Sequence, residues 1–137
     1  MKRYPTVFAT VDVVIECNGK LLLGRKAHQE KFRFVGGFAD PQLDNSYEDA
    51  AKREAKEETT LVVTAVRYLG STRIDDPRYR GTEDCIITHL FIAEEWSGEP
   101  NPTDDIAELK WFDKNEVSEN TFVDEHHVLW HLFQSKV

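Results

Sequence analysis

The sequence predicts one α/β domain in which a mixed β-sheet is packed between helices. Three observations predict it. Runs rich in Val, Ile and Thr recur at residues 6–17, 61–71 and 84–94 and read as strands. A single capped helix pattern interrupts them at residues 46–58, and a second amphipathic pattern closes the chain at residues 125–134. The 137 residues suit one domain, residues 1–137, large enough for a core of its own.

Taken in order, residues 6–17 form a strand that is partly alternating and partly continuous. Asn18-Gly19 is a strong two-residue hairpin signal, and Lys20-Leu21-Leu22-Leu23-Gly24 returns as the partner strand. Residues 26–31 are polar and read as a loop. Residues 32–35 lead as an apolar strand end into Gly36-Gly37 and a turn. Ser46 is a good N-cap for the following helix, with Asp49 three residues on. Residues 61–71 are a Val-rich strand, and residues 72–83 a polar connection carrying Arg73, Asp75, Asp76, Arg78 and Arg80. Residues 84–94 are again a strand, residues 95–105 an acidic loop, and residues 108–112 a short strand. The last helix presents Val128, Leu129, Leu132 and Phe133.

Composition narrows the function. A net charge of −8 argues against a nucleic-acid backbone as partner, but a bound cation and a few arginines can reverse the potential locally for a small anion. No stretch is long and apolar enough to span a bilayer, and no signal-peptide core stands at the N-terminus, so a cytoplasmic location without membrane attachment is expected. Cys17 and Cys85 lie in strand-like runs without metal-ligand spacing and read as buried thiols in a reducing compartment. The five histidines are spread out and read as structural hydrogen-bonding groups.

The chemistry concentrates in Arg53-Glu54-Ala55-Lys56-Glu57-Glu58. Glu54 and Glu58 lie one helical turn apart, Glu57 sits between them in height, and Ala51 and Ala55 share much of that face. Like charges at this spacing repel, and partial burial beside alanines worsens the repulsion, so the cluster calls for a counter-cation. All-oxygen donors from one short element suit Mg2+ or Mn2+ better than zinc. A solvated acidic helix face, with Arg53 and Lys56 as local partners, is the competing reading.

Context decides between them. Strand, Gly36-Gly37, capped helix and Arg53-Glu54-x-x-Glu57-Glu58, closed by Leu61, resemble the Nudix box of the Nudix hydrolases, and Asp105-Ile106-Ala107-Glu108-Leu109-Lys110-Trp111-Phe112 is similar to the family's late strand. The resemblance covers nearly the whole chain and implies a Nudix-type α/β/α sandwich with a mixed β-sheet. Two departures stand out. Asn45 occupies the place of the family's first Glu in a loop two residues longer than usual, so Asp44 is the expected partner for Arg53 if the loop bends. Thr60 replaces the late glycine, so the usual left-handed helix cap is expected to be missing.

The resemblance implies divalent-metal-dependent hydrolysis of a nucleoside diphosphate derivative, with water attacking a pyrophosphate phosphorus. Glu54 and Glu58 are the principal expected ligands for Mg2+ or Mn2+. Glu57 is a further ligand or the general base, and the Gly36 carbonyl is a backbone ligand. Arg53 orients a glutamate. Some family members take the base from a loop outside the box, for which Glu94, Glu95, Glu99 and Asp104 are the candidates here.

The stretch Asp76-Pro77-Arg78-Tyr79-Arg80-Gly81-Thr82 with Ile87-Thr88-His89-Leu90-Phe91 is similar to Nudix domains fused to nicotinamide mononucleotide adenylyltransferase, as is Thr121-Phe122-Val123-Asp124-Glu125-His126. That similarity implies ADP-ribose as substrate, with AMP and ribose 5-phosphate as products. Arg73, Arg78 and Arg80 are then candidate phosphate binders, and Phe38 or Tyr79 a stacking surface for the base. The alternative is that these arginines pair with the neighbouring aspartates. Two other functions compete: hydrolysis of a modified nucleoside triphosphate, and a non-catalytic nucleotide sensor. The expected partner is a small nucleotide, and the resemblance leaves a homodimer open.

Overall fold

The computed structural model describes residues 4–103 and 105–137. Its elements run β1 (Val7–Val14), β2 (Glu16–Cys17), β3 (Lys20–Lys26), β4 (Val35–Phe38), α1 (Tyr47–Thr59), β5 (Val62–Ile74), β6 (Cys85–Ser97), β7 (Ile106–Asp113) and α2 (His127–Lys136), with short 3-10 turns between some of them. The strands form a four-stranded sheet, β4-β1-β6-β5, and a three-stranded sheet, β2-β3-β7. The larger one is mixed: β1 is parallel to β6 and antiparallel to β4, while β5 and β6 are antiparallel.

The strand expected over residues 6–17 divides between the two sheets. At the break the Ile15 carbonyl accepts from the Leu22 N–H at 2.9 Å, so Glu16 and Cys17 follow β3 instead of β6. Asn18 (φ 52°) and Gly19 (φ 78°) both adopt the left-handed conformation that a tight primed hairpin needs. The strand expected from residue 61 runs further than its composition indicates. Arg73 and Ile74 still pair with Ile87 and Ile86, and the polar connection starts only after them.

The two faces of the larger sheet carry separate cores, which gives the expected layered architecture. On one face Val11, Val13, Leu61 and Phe91 pack against Ala50, Ala51 and Ala55 of α1. The alanines let the helix approach the strands closely, so its acids are carried in with it. On the other face Val14, Phe34, Leu90 and Phe122 pack against Leu129, Trp130 and Phe133 of α2. Since successive strand residues alternate between faces, Asp12 points to the α2 side while its neighbours Val11 and Val13 point to α1. Cys17 and Cys85 are free thiols and only half-buried, short of the full burial expected of them.

Both ends of α1 are held by identifiable groups. At the N-terminus the Ser46 hydroxyl accepts from the Asp49 N–H at 3.0 Å. At the C-terminus Thr60 adopts φ 65° and donates its N–H to the Lys56 carbonyl at 2.9 Å, so the left-handed cap is present without glycine. Its strain is offset by the Thr60 hydroxyl, which donates to the Glu99 carbonyl at 3.0 Å. The next segment satisfies the remaining orphan carbonyls. Asn101 N–H donates to Thr59 at 2.9 Å, Thr103 N–H to Glu58 at 3.3 Å, and the Thr103 hydroxyl to Glu57. The acidic loop is thereby fastened to the end of the helix that bears the glutamates.

Candidate active site

A cleft of about 410 Å³ opens where β4, the end of α1 and the start of β7 meet. Gly36 and Gly37 are part of strand β4 and pair with Asp12 and Val11 of β1. At both a side chain would meet a neighbour, backbone at Gly36 and the end of a side chain at Gly37. A Cβ on Gly36 would collide with the Val11 carbonyl, and one on Gly37 would stand 2.6 to 2.8 Å from the Glu54 carboxyl atoms. The paired glycines therefore bring strand and helix close enough for the Gly36 N–H to donate to Glu58 Oε1 at 2.8 Å.

Glu54 and Glu58 are both buried in the cleft wall. Asp105, at the foot of β7, lines the same cleft and hydrogen-bonds with Glu58. Burial pushes the Glu58 carboxyl up to about 8 against the pull of the Gly36 N–H, and the charges of Asp105 and Glu54 push the same way. Burial also disfavours charge on Asp105, but the Lys26 ammonium, 3.2 Å away, and the hydrogen bond from Glu58 hold it below its usual range. At neutral pH Glu58 holds the proton and Asp105 the charge.

Arg53 organises the loop side. Its Nε and Nη2 grip the two oxygens of Asp44 at 2.8 Å each, Nη1 reaches Glu54 at 2.9 Å and Glu57 at 3.1 Å, and Nη2 reaches the Phe38 carbonyl at 3.1 Å. The fork on Asp44, followed by its contacts to Glu57 and Glu54, raises the guanidinium above its ordinary range. The longer loop does bend, and Asp44 takes the place that Asn45 cannot fill. Arg53 thus fixes the Glu54 carboxylate and the turn after β4 together.

The predicted residues divide by position. Gly36, Glu54, Glu58, Phe38 and Arg78 line the cleft. Glu57 lies outside that lining, bound to Arg53, with its side chain 44% exposed. Arg73 and Arg80 line a separate recess beside Tyr79 and Cys85. Arg80 forks onto Asp75 at 2.8 and 2.9 Å, Arg78 onto Asp76 at 3.0 and 2.7 Å, and Tyr79 stacks on Phe8. Glu94 is exposed and faces Arg67 at 3.4 Å, Glu95 and Glu99 are exposed, and Asp104 lies outside the described residues.

Several residues of the cleft carried no sequence signal that singled them out. Asp105 was legible as the last acid of the loop and the first residue of the late-strand stretch, with no role attached. Asp12, Lys26, Arg33 and His126 also line it. Asp12 is buried, accepts from the Thr88 hydroxyl at 2.5 Å, and is pushed up to about 7 by burial despite that bond. His126 Nδ1 accepts from the Phe34 N–H at 3.1 Å, and burial drives its pKa well below the usual value, so the ring is neutral with its other nitrogen 3.7 Å from Asp12.

The donor set fits a hard divalent cation. Three carboxylates, Glu54, Glu58 and Asp105, line a wall with Gly36, and burial, aided by the charges of Asp105 and Glu54, favours the protonated form of Glu58. Among the described residues no three such side chains form a group that could hold an ion as they stand; Arg53 engages Glu54 and Lys26 engages Asp105.

Comparisons with known proteins bear on the family and the fold. The family model for the NUDIX domain matches residues 6–132. An ADP-ribose pyrophosphatase from Methanocaldococcus jannaschii is 35% identical over 115 residues, 82% of this chain and 65% of the relative. An oxidized purine nucleoside triphosphate hydrolase from Danio rerio is 29% identical over 108 residues, 77% of this chain and 65% of the relative. The chain thus spans about 65% of the length of these two relatives. The crystal structure of a MutT NUDIX hydrolase from Burkholderia pseudomallei superposes with a TM-score of 0.77 at 18% identity, covering 93% of this chain and 98% of that one, a likeness of fold.

Proposed function

The chain belongs to the Nudix domain family, and on that premise we propose that it is a Mg2+- or Mn2+-dependent pyrophosphohydrolase of nucleoside diphosphate derivatives, ADP-ribose first among them. One observation carries the reading: the carboxylates Glu54, Glu58 and Asp105 and the cations Arg78 and Lys26 line a single cleft. A pyrophosphate needs cations on its oxygens and a carboxylate beside the attacked phosphorus, and this cleft supplies both.

Glu54, Glu58, Asp105 and the Gly36 carbonyl are the groups that hold the metal, with Glu57 able to join them once it leaves Arg53. A bound divalent ion neutralises phosphate charge and acidifies water. The hydrolysis forms a bond from water oxygen to one phosphorus and breaks the bridging P–O bond, leaving two monophosphates. The proton lost by water needs an ionised acceptor, and Asp105, held below its usual range beside Lys26, is one carboxylate able to take it. Arg53 acts as a positioning residue for Glu54, and Arg78 supplies charge to the phosphates. The Phe38 ring, 40% exposed at the rim, joins Ile74 and Ile86 as an apolar surface for the base.

The test is product identification with purified protein. ADP-ribose with Mg2+ yields AMP and ribose 5-phosphate, and chelation stops the reaction. Binding of ADP-ribose without release of AMP would make the chain a sensor. The zebrafish relative keeps a second reading open, so modified purine triphosphates belong in the same panel.

A further inference from the structure

The cleft has two chemically distinct ends, and the strand register separates them. Phe8 is level with Ile86, which pairs with Ile74; Thr10 is level with Phe38; and Asp12 is level with Gly36. Four residues along one strand face span roughly 13 Å. Ile74 and Ile86 therefore occupy one end, and Phe38 lies between it and Asp12. Asp12, Arg33 and His126 occupy the other, where Asp12 is level with Gly36 and His126 binds the Phe34 N–H.

Arg33 is the unexplained residue of that second end. Its backbone is fixed, with its N–H and carbonyl bonded to Gly24 at 2.8 and 2.9 Å. Its Nε is buried yet has no hydrogen-bond partner, and the side chain forms no ion pair among the described residues. A buried N–H left without an acceptor is costly, and such groups in native proteins usually have a reason. Beside it His126 turns a second nitrogen toward Asp12, and the Asp12 carboxyl faces the cleft. Arg78 and Lys26, the other cations of the lining, are already paired with Asp76 and Asp105.

We infer that Arg33, Asp12 and His126 form a subsite for the hydroxyl-bearing sugar at the far end of a nucleoside diphosphate derivative. A phosphate group presents acceptors alone and is served by donors alone. A vicinal diol presents both, and is served by a guanidinium and an imidazole N–H beside a carboxyl oxygen. The spacing suits a base on Ile74 and Ile86, a diphosphate over the carboxylates and a second ribose beside Arg33. A triphosphate leaves Asp12 facing another oxygen. The subsite rests on the hydrolase reading above and adds the discrimination between sugar-bearing diphosphates and triphosphates.

The experiment compares wild type, Arg33→Met and Arg33→Lys on ADP-ribose and on ADP, which ends where the second sugar begins, with product identification and thermal melts of each protein. Removing one charged hydrogen bond lowers kcat/KM for ADP-ribose roughly tenfold to a hundredfold. Turnover of ADP should change less than about threefold. Ribose 5-phosphate should inhibit wild type competitively and lose at least about tenfold in potency against Arg33→Met. If the melt shows Arg33→Met to be unfolded, Arg33→Lys takes its place, since lysine keeps the charge and loses the fork. Equal losses on both substrates, or none, overturn the sugar subsite while leaving the hydrolase reading intact. A wild type that cleaves no diphosphate derivative at all overturns the hydrolase reading itself.

Discussion

Glu58→Gln separates what the carboxylate wall does for catalysis from what it does to the fold. In the metal-free protein the Glu58 carboxyl is pushed from 4.5 to about 8, chiefly by burial. Between those values the native state binds more protons than the unfolded chain, so stability falls as pH rises through that window. At 1.36 kcal/mol per pH unit the loss amounts to about 3 kcal/mol by pH 7, approaching 5 kcal/mol above pH 8, as an upper bound. Glutamine mimics the protonated acid. Its carbonyl still accepts from Gly36 N–H, and its amide can donate to Asp105 as the protonated carboxyl does. The variant should therefore match wild type near pH 4.5 and melt higher at pH 7 in EDTA, by up to about 10 °C for a domain of this size. Asp12, also raised by burial, is common to both proteins and cancels from the difference. Added Mg2+ should raise the wild-type melt, by about 2.7 kcal/mol at a hundred times its Kd, and move the variant much less. Turnover should drop on the order of a thousandfold. A variant that is less stable than wild type at pH 7 without metal, or that responds to Mg2+ as wild type does, would falsify the placement of Glu58 among crowded acids that hold the ion.

Two further predictions concern the scaffold. Gly36→Ala forces backbone against backbone at Val11, so urea unfolding should show a loss of about 3 kcal/mol or more, whereas Gly37→Ala meets only the Glu54 carboxyl and should cost turnover before stability. Asp44→Asn removes the charge from the two-pronged Arg53 contact, with the Asp44 side chain only 4% exposed. A stability loss of about 1–3 kcal/mol is expected, together with a lower kcat at unchanged KM as Glu54 loses its orientation.

How much of this was legible in the sequence depends on how local each determinant is. The helix, its Ser46 cap and the hairpin at Asn18-Gly19 follow from side chains acting on their own backbone, and all three were readable. The cap at Thr60 was not. Thr60 departs from glycine, and what holds its left-handed conformation is the Glu99 carbonyl, 39 residues on. The exchange of Asn45 for Asp44 was readable as an ion-pair substitution once the loop was allowed to bend. Asp105 escaped notice for a different reason. One more acid in an acidic loop carries no mark, and only the contacts of Asn101 and Thr103 with the helix end bring it beside Glu58. Arg33 and Asp12 are single charges within apolar runs, which does not mark them out, and only the pairing of Asp12 with Gly36 across two strands brings them to one cavity.

The parallel pairing of β1 with β6 carries a consequence for how the molecule comes into being. Each paired residue is 78 positions from its mate. At synthesis rates of about 5–20 residues per second, β1 leaves the ribosome roughly 4 to 16 seconds before the strand it must lie beside. During that interval its Val-rich edge is open to other chains, and the hydrogen bond from Thr88 to Asp12 that floors the cleft cannot exist. Non-local closure of this kind is slow in refolding too, on the scale of milliseconds to seconds. Binding competence should therefore be among the last properties a nascent or refolding molecule acquires, well after α1 is helical.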